Sequence, residues 1–222
     1  MAYVLGYLFA DGSMEDASYL RGKYVRVTST DKSTILKIKK WMKSEHTIVR
    51  LPPNKEYSGK TRYLLRIGSH VLYDGLIKKG IYPKKSLTVK FPNIPDKYLS
   101  SFVRGYFDGD GCVYLYTKRT NKLIIVKKLS TIFTSGSFDF LKELCDTLDK
   151  KLDLNQKKIY KSKGAFQLRY STKDSIKLFS FLYFGCKSNE FLKRKFYIFK
   201  RYFELRPIKL DRLSTKIIKM AQ

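Results

Sequence analysis

Two stretches of this chain close in the same way. VLGYLFADG runs from Val4 to Gly12, and VRGYFDGDG runs from Val103 to Gly111, 99 residues later. Each is an apolar segment ending in an aspartate and a glycine, Asp11-Gly12 and Asp110-Gly111. Gly6 and Ala10 in the first copy, and Gly105 and Gly109 in the second, are spaced to share one helix face. Small residues on one face let two helix backbones approach closely. Gly12 and Gly111 read as left-handed helix stops. One copy alone would be a buried helix with incidental glycines. Two copies, each ending in Asp-Gly, predict a pair of helices packed along their glycine faces.

The pattern downstream of each segment recurs in the same order. After Asp11 come polar and β-branched stretches, clearest in KYVRVTS, then the helical pattern KSTILKIKKWMKS, with Ile35, Ile38, Trp41 and Met42 at helical spacing. HTIVRLP and TRYLLRIGS read as strands, and HVLYDGLIKKG as a short helix that Gly80 ends. After Asp110 the strands CVYLYTK and LIIVKKLSTIF precede the helix SFDFLKELCDTLDKKL. The strands KKIYKS and AFQLRYS and two further helices complete that half. The expected fold class is α+β: two pseudo-symmetric α-β-β-α-β-β-α halves, each with a saddle-shaped antiparallel sheet, joined through the paired helices. The expected boundary separates residues 1–99, with a proline-spaced linker at about 86–99, from residues 100–222, which end in a basic surface tail.

Charge limits the partners. Lysine and arginine total 46 against 19 acids, a formal net charge of +27. That excess calls for a polyanion. No apolar run approaches the roughly 20 residues of a membrane span, and no signal peptide opens the chain, so nucleic acid is expected rather than a membrane. The three cysteines, Cys112, Cys145 and Cys186, form no CxxC pair and read as reduced, buried thiols of an intracellular protein, in cytoplasm, nucleoid or organelle matrix rather than secreted. His46 and His70 carry no assigned role.

Clustered carboxylates in so basic a chain need a reason. If the two helices lie side by side, Asp11 and Asp110 meet among C-terminal carbonyls that carry partial negative charge. Two carboxylates and several carbonyl oxygens make the hard donor set that Mg²⁺ prefers. Without a cation the like charges would repel. A divalent ion between such acids and a phosphodiester is an arrangement for hydrolytic phosphoryl transfer.

The segments VLGYLFADG and VRGYFDGDG resemble the two motifs of single-chain LAGLIDADG homing endonucleases, and the recurring element order extends the resemblance from Val4 to about Leu205. The resemblance implies a monomeric, metal-dependent DNA endonuclease of intron homing, making a double-strand break in a long target. It implies metal binding by Asp11 and Asp110, assisted by the carbonyls of Ala10 and Gly109, with Mg²⁺ or Mn²⁺ active and Ca²⁺ bound without supporting cleavage. Gly6, Ala10, Gly105 and Gly109 would form the helix interface. It places a polar residue before each long helix, Asp31 and Ser135, where many relatives carry glutamine. It also places a lysine in each half, Lys85 and Lys195, near the scissile phosphate. Asp108, at the motif's earlier acidic position, reads as structural.

The strands alternate apolar with polar or basic residues, so each sheet should have one buried and one wet face. The expected DNA-facing set is Tyr24, Arg26, Thr28, Arg62 and Arg66 in the first half. In the second it is Tyr114, Tyr116, Lys118, Lys128, Ser130, Lys158, Tyr160, Gln167 and Arg169. Arginine and glutamine can make paired hydrogen bonds to guanine and adenine edges, while the lysine-rich remainder grips phosphates. The two wet faces differ, so the expected target is asymmetric. Two alternatives stay open: a maturase acting on its own intron RNA, and a non-catalytic nucleic-acid-binding protein on the same fold. Both need the basic sheets but not the acids. The short lead before the first motif, with no splicing-type Cys or Asn junction, is expected of a protein other than an intein.

Overall fold

The computed structural model describes residues 1–17, 19, 22–54, 59–120, 124–155, 158–209 and 211–220. Its first half runs α1 (Ala2–Asp11), β1 (Gly12–Ala17), β2 (Gly22–Ser29), α2 (Lys32–Trp41), β3 (Ile48–Leu51), β4 (Arg62–Gly68) and α3 (His70–Lys78). The second repeats the order with α4 (Asp96–Asp110), β5 (Gly111–Arg119), β6 (Ile124–Ser135), α5 (Phe138–Leu152), β7 (Ile159–Ser162), β8 (Ala165–Tyr170) and α6 (Thr172–Tyr183). It then adds α7 (Lys193–Leu205) and α8 (Arg212–Met220). The expected KKIYKS strand begins at Lys157, and the LIIVKKLSTIF strand at Leu123; both first residues lie outside the described ones.

Each half builds a four-stranded antiparallel sheet with the same layout, β1-β2-β4-β3 and β5-β6-β8-β7. Register follows the period-2 pattern. Val25 faces Ile67 and Val27 faces Leu65, all four buried, while Arg26 faces Arg66 on the other side. The helices cover the buried faces. Ile35 and Ile38 of α2, and Phe140, Leu141, Leu144 and Leu148 of α5, are fully buried. Side-chain caps start both helices, Asp31 on Ser33 N–H and Ser137 on Phe140 N–H. No described helix is long and apolar enough to cross a membrane.

Helices α1 and α4 are the most extensively packed pair of elements. Gly6 and Gly105 make that contact possible. A Cβ on Gly6 would stand 1.9 Å from the Phe102 carbonyl oxygen, and one on Gly105 would stand 2.0 Å from that of Tyr3. Further along the seam, a Cβ on Gly109 would meet that of Ala10 at 2.5 Å.

Two sequence expectations need correction. Gly12 and Gly111 are not left-handed stops, since their φ angles are −78° and −85° and each begins a strand. They are glycines because a Cβ would lie 2.5 Å from the carbonyl oxygen of Leu8 or Phe107, where the chain turns sharply off the helix. Gly80, with φ +87°, does use the left-handed region. Cys112 is exposed rather than buried, because it takes the outward parity of β5. Cys145 and Cys186 are buried.

Candidate functional site

The packed helices end together. Asp11 and Asp110 are the last residues of α1 and α4. The Asp11 carboxylate reaches across the seam, with Oδ2 3.4 Å from where a Cβ on Gly109 would sit. Water reaches Asp11, and Asp110 is half-buried, yet protein surrounds both closely. Burial pushes the Asp110 carboxyl up to about 7; repulsion from Asp11 adds to the rise, while Lys85 and Lys195 oppose it. Burial also raises Asp11, held back by a Tyr7 hydrogen bond and by the charges of Lys195, Lys85 and Arg194.

The lysines sit beneath these tips, both buried. Lys85 Nζ donates to the carbonyls of Phe9, at 2.9 Å, and Ala10, at 3.4 Å. Lys195 Nζ donates to the matching carbonyls of Asp108, at 2.9 Å, and Gly109, at 3.5 Å, and also to those of Phe107 and Gly111. The carbonyls of Phe9, Ala10, Asp108 and Gly109 are among those a helix leaves unpaired at its C-terminus, whereas that of Phe107 also accepts from Gly111 N–H. Burial lowers both ammonium groups, Lys195 to about 8. Lys85 comes from a 3-10 turn at residues 85–87, entered through Lys84 at φ +58°; Lys195 comes from the first turn of α7. Sequence spacing alone did not relate them.

The polar residues before α2 and α5 also pair up, but not as the sequence reading paired them. Ser135 Oγ accepts from Ser137 N–H at 3.1 Å, and Ser29 Oγ accepts from Asp31 N–H at 3.1 Å. The counterpart of Ser135 is therefore Ser29, and that of Asp31 is Ser137. Asp31 is committed to Ser33, accepting from its N–H at 3.0 Å and its hydroxyl at 2.7 Å, because it caps α2. Ser29 was missed, although STD beside SGS, read against the helix starts, could have found it. The motif tyrosines were missed too. Tyr7 reaches Asp11 and Ser29, while Tyr106 reaches Ser135 and donates to the Thr134 carbonyl at 2.7 Å. Asp108 is buried and accepts from the Tyr3 hydroxyl and from Leu192 N–H, each at 2.7 Å, which ties α4 to α1 and to the start of α7.

The donor set fits a divalent cation. The structure brings two carboxylates to one place where burial and mutual repulsion raise Asp110. The Ala10 and Gly109 carbonyls have only long lysine contacts, at 3.4 and 3.5 Å, leaving a lone pair on each. Among the described residues no group of three or more His, Cys, Asp or Glu side chains could hold a metal, so any ion here would take its remaining ligands from water or substrate.

A LAGLIDADG-like domain model matches residues 97–181. Comparison of the sequence with curated proteins gave no match. Among solved structures, the homing endonuclease I-WcaI bound to its DNA recognition sequence has a TM-score of 0.61 at 15% identity, over 88% of this chain and 83% of that one. The meganuclease I-AabMI bound to uncleaved DNA has a TM-score of 0.59 at 13% identity, over 99% and 96%. The I-LtrWI homing endonuclease bound to target DNA has a TM-score of 0.59 at 16% identity, over 99% and 95%. This chain has the LAGLIDADG homing endonuclease fold.

In each half the outward side chains of the sheet lie largely where the strand period put them. In the first, Arg26 and Arg66 sit opposite each other, and both approach Glu15 of β1, at 3.6 and 3.1 Å. Arg66 also lies over the Tyr24 ring at 3.6 Å. Thr28 and Arg62 share this parity. In the second, Tyr114 and Tyr116 are exposed and stacked at 6.4 Å, with Lys118 and Lys128 exposed nearby. Gln167 accepts from Arg169 Nε at 2.9 Å, and Arg169 and Lys158 flank the Tyr160 ring. Ser130 departs from expectation. It is buried and donates to the Tyr170 carbonyl at 2.8 Å, because its small side chain turns into the backbone of β8. It is not available to DNA.

Proposed function

We propose that this chain is a monomeric, site-specific DNA endonuclease that makes a double-strand break in a long, asymmetric duplex. The observation that carries this reading is the convergence of Asp11, Asp110, Lys85 and Lys195 at the tips of two fused helices, between two sheets with basic and aromatic outer faces. The outer side chains of Tyr24, Arg26, Thr28, Arg62 and Arg66, and of the second half's Tyr114, Tyr116, Lys118, Lys128, Lys158, Tyr160, Gln167 and Arg169, would meet base edges and phosphates. Those sets differ between halves, which favours an asymmetric target.

Asp11 and Asp110, with the Ala10 and Gly109 carbonyls, would hold Mg²⁺ or Mn²⁺, which when bound would supply positive charge and Lewis acidity at the phosphate. Lys85 and Lys195 place ammonium groups where negative charge grows as water adds to phosphorus and the sugar oxygen leaves. Lys195 Nζ, near 8, can exchange a proton at neutral pH. Ser29 and Ser135, hydrogen-bonded to Tyr7 and Tyr106, would order water on either side.

The test uses a duplex recovered by cleavage selection from a randomised library. Asp11→Asn and Asp110→Asn should each abolish double-strand cutting in Mg²⁺ while binding in Ca²⁺ persists. Cutting by both variants at the wild-type rate would refute the assignment of the acids.

A further inference from the structure

The two halves differ at one matched place. In the second, the turn at 85–87 lies against the β6–α5 junction so closely that a Cβ on Gly136 would stand 2.4 Å from the Ser86 carbonyl oxygen. The serine pairing makes Thr30 the counterpart of Gly136 in the first half. There a pocket of about 620 Å³ lies beside the junction, with Thr30 in its wall. Its walls come from three separate places: Asp31, Lys32 and Ser33 at the start of α2; Lys60 and Tyr63 at the start of β4; and Arg194 of α7, from the other half. Lys32, Lys60 and Arg194 are exposed. Asp31 is the one acid in the wall, and its carboxylate is occupied by Ser33. Three cations against one acid make the pocket positive. Arg194 also acts on the catalytic centre, since its charge lowers both Asp11 and Lys195.

We propose that this pocket holds a backbone phosphate of the bound duplex beside the Asp11 side of the centre, gripped from the opposite half by Arg194 with Lys60 and Lys32. A planar guanidinium offers paired donors to phosphate oxygens, and the lysines add charge. At the Gly136 junction Ser86 and Leu87 stand against the backbone instead, so the grip acts on the Asp11 side. The pocket therefore positions one strand more firmly than the other. This rests on the endonuclease reading above.

The experiment takes a duplex selected by binding in Ca²⁺ from the randomised library and scans it with single neutral methylphosphonate linkages. In Ca²⁺, one linkage beside the cut should weaken wild-type binding about tenfold. It should leave Arg194→Ala unaffected, with partial recovery in Arg194→Lys. In Mg²⁺, Arg194→Ala and Lys60→Ala should slow cutting of one strand about tenfold more than the other. The proposal is overturned if every linkage affects wild type and Arg194→Ala alike, or if both strands slow equally. Wild type that shows the linkage effect in Ca²⁺ but never cuts in Mg²⁺ would sink the endonuclease reading and leave the pocket standing. Both substitutions are at exposed positions, and matched thermal unfolding would show that the fold is intact.

Discussion

At the tip of α1, Lys85 arrives from a strained 3-10 turn and meets two carbonyls; at the tip of α4, Lys195 arrives from a helix and meets four. The residue two before the helix-terminal aspartate also differs. Phe9 packs edge-on to Phe102 at 5.4 Å and stacks with Phe140, whereas Asp108 is held by Tyr3 and Leu192. The repeated motif thus places the acids identically, while each half supports its tip by different means. One support is apolar packing, which tolerates small adjustments. The other is a buried, hydrogen-bonded charge, which fixes the start of α7 and with it Lys195.

The seam between the tips is the shared part, so it gives the largest expected effect. Gly6→Ala and Gly105→Ala each place a methyl about 2 Å from a backbone oxygen of the partner helix. Each should destabilise the fold by about 4 kcal/mol or more, seen in urea unfolding. Similar losses are expected from both; a tolerated substitution at either position would break the equivalence of the halves.

The lysines come next, and here the halves should separate. Lys195→Met should slow cutting about 10²–10³-fold in single-turnover assays, the scale for losing one donor aimed at developing charge. Lys85→Met, which frees fewer carbonyls, should slow it about tenfold less. Equal losses would show that the extra contacts of Lys195 do nothing for catalysis.

Much of this was legible in the sequence. The duplicated Asp-Gly segments and matching strand periods specified the element order, because burial on one face imposes period 2 on strands and 3.6 on helices. Asp11 and Asp110 follow from the repeated Asp-Gly endings, whereas Lys85 and Lys195 follow only from the family resemblance. The missing parts depend on three-dimensional register. Ser29 looked like one polar residue among several until its bond to Asp31 N–H matched that of Ser135 to Ser137. Ser130 has outward parity, but a small hydroxyl can fold back on the backbone where a lysine cannot. Arg194 was passed over because its role depends on reaching across halves, which no local pattern encodes.

The acid pair allows a smaller, pH-dependent comparison. In metal-free protein Asp110 is raised to about 7, above its unfolded value. A group raised on folding contributes stability that is full below the unfolded pKa and is lost as pH rises through the folded one. Between pH 4 and 7 the wild type should therefore lose on the order of 2 kcal/mol that Asp110→Asn does not, less than the full shift implies because the carboxylate is half-buried. In EDTA the variant should unfold at higher temperature at pH 8 and at nearly the same temperature at pH 4. A variant no more stable than wild type at pH 8 would mean that the carboxylates do not repel.

The smallest effect concerns the outer sheet faces. Glu15 pairs with Arg26 and Arg66 across the first sheet. All three partners are partly exposed, so the pairs themselves contribute little stability, about 0.5 kcal/mol. Under the proposed function their effect is on binding. Glu15 holds the two arginines in place and offsets their attraction for phosphate. Glu15→Gln should raise affinity for an unrelated 30-base-pair duplex about two- to threefold and steepen its salt dependence, while reducing discrimination in favour of the selected duplex. The salt slope checks the first part, and the affinity ratio of the two duplexes checks the second. If affinity rose for both duplexes alike, Glu15 would only be offsetting charge, and the first sheet would read DNA no differently from the second.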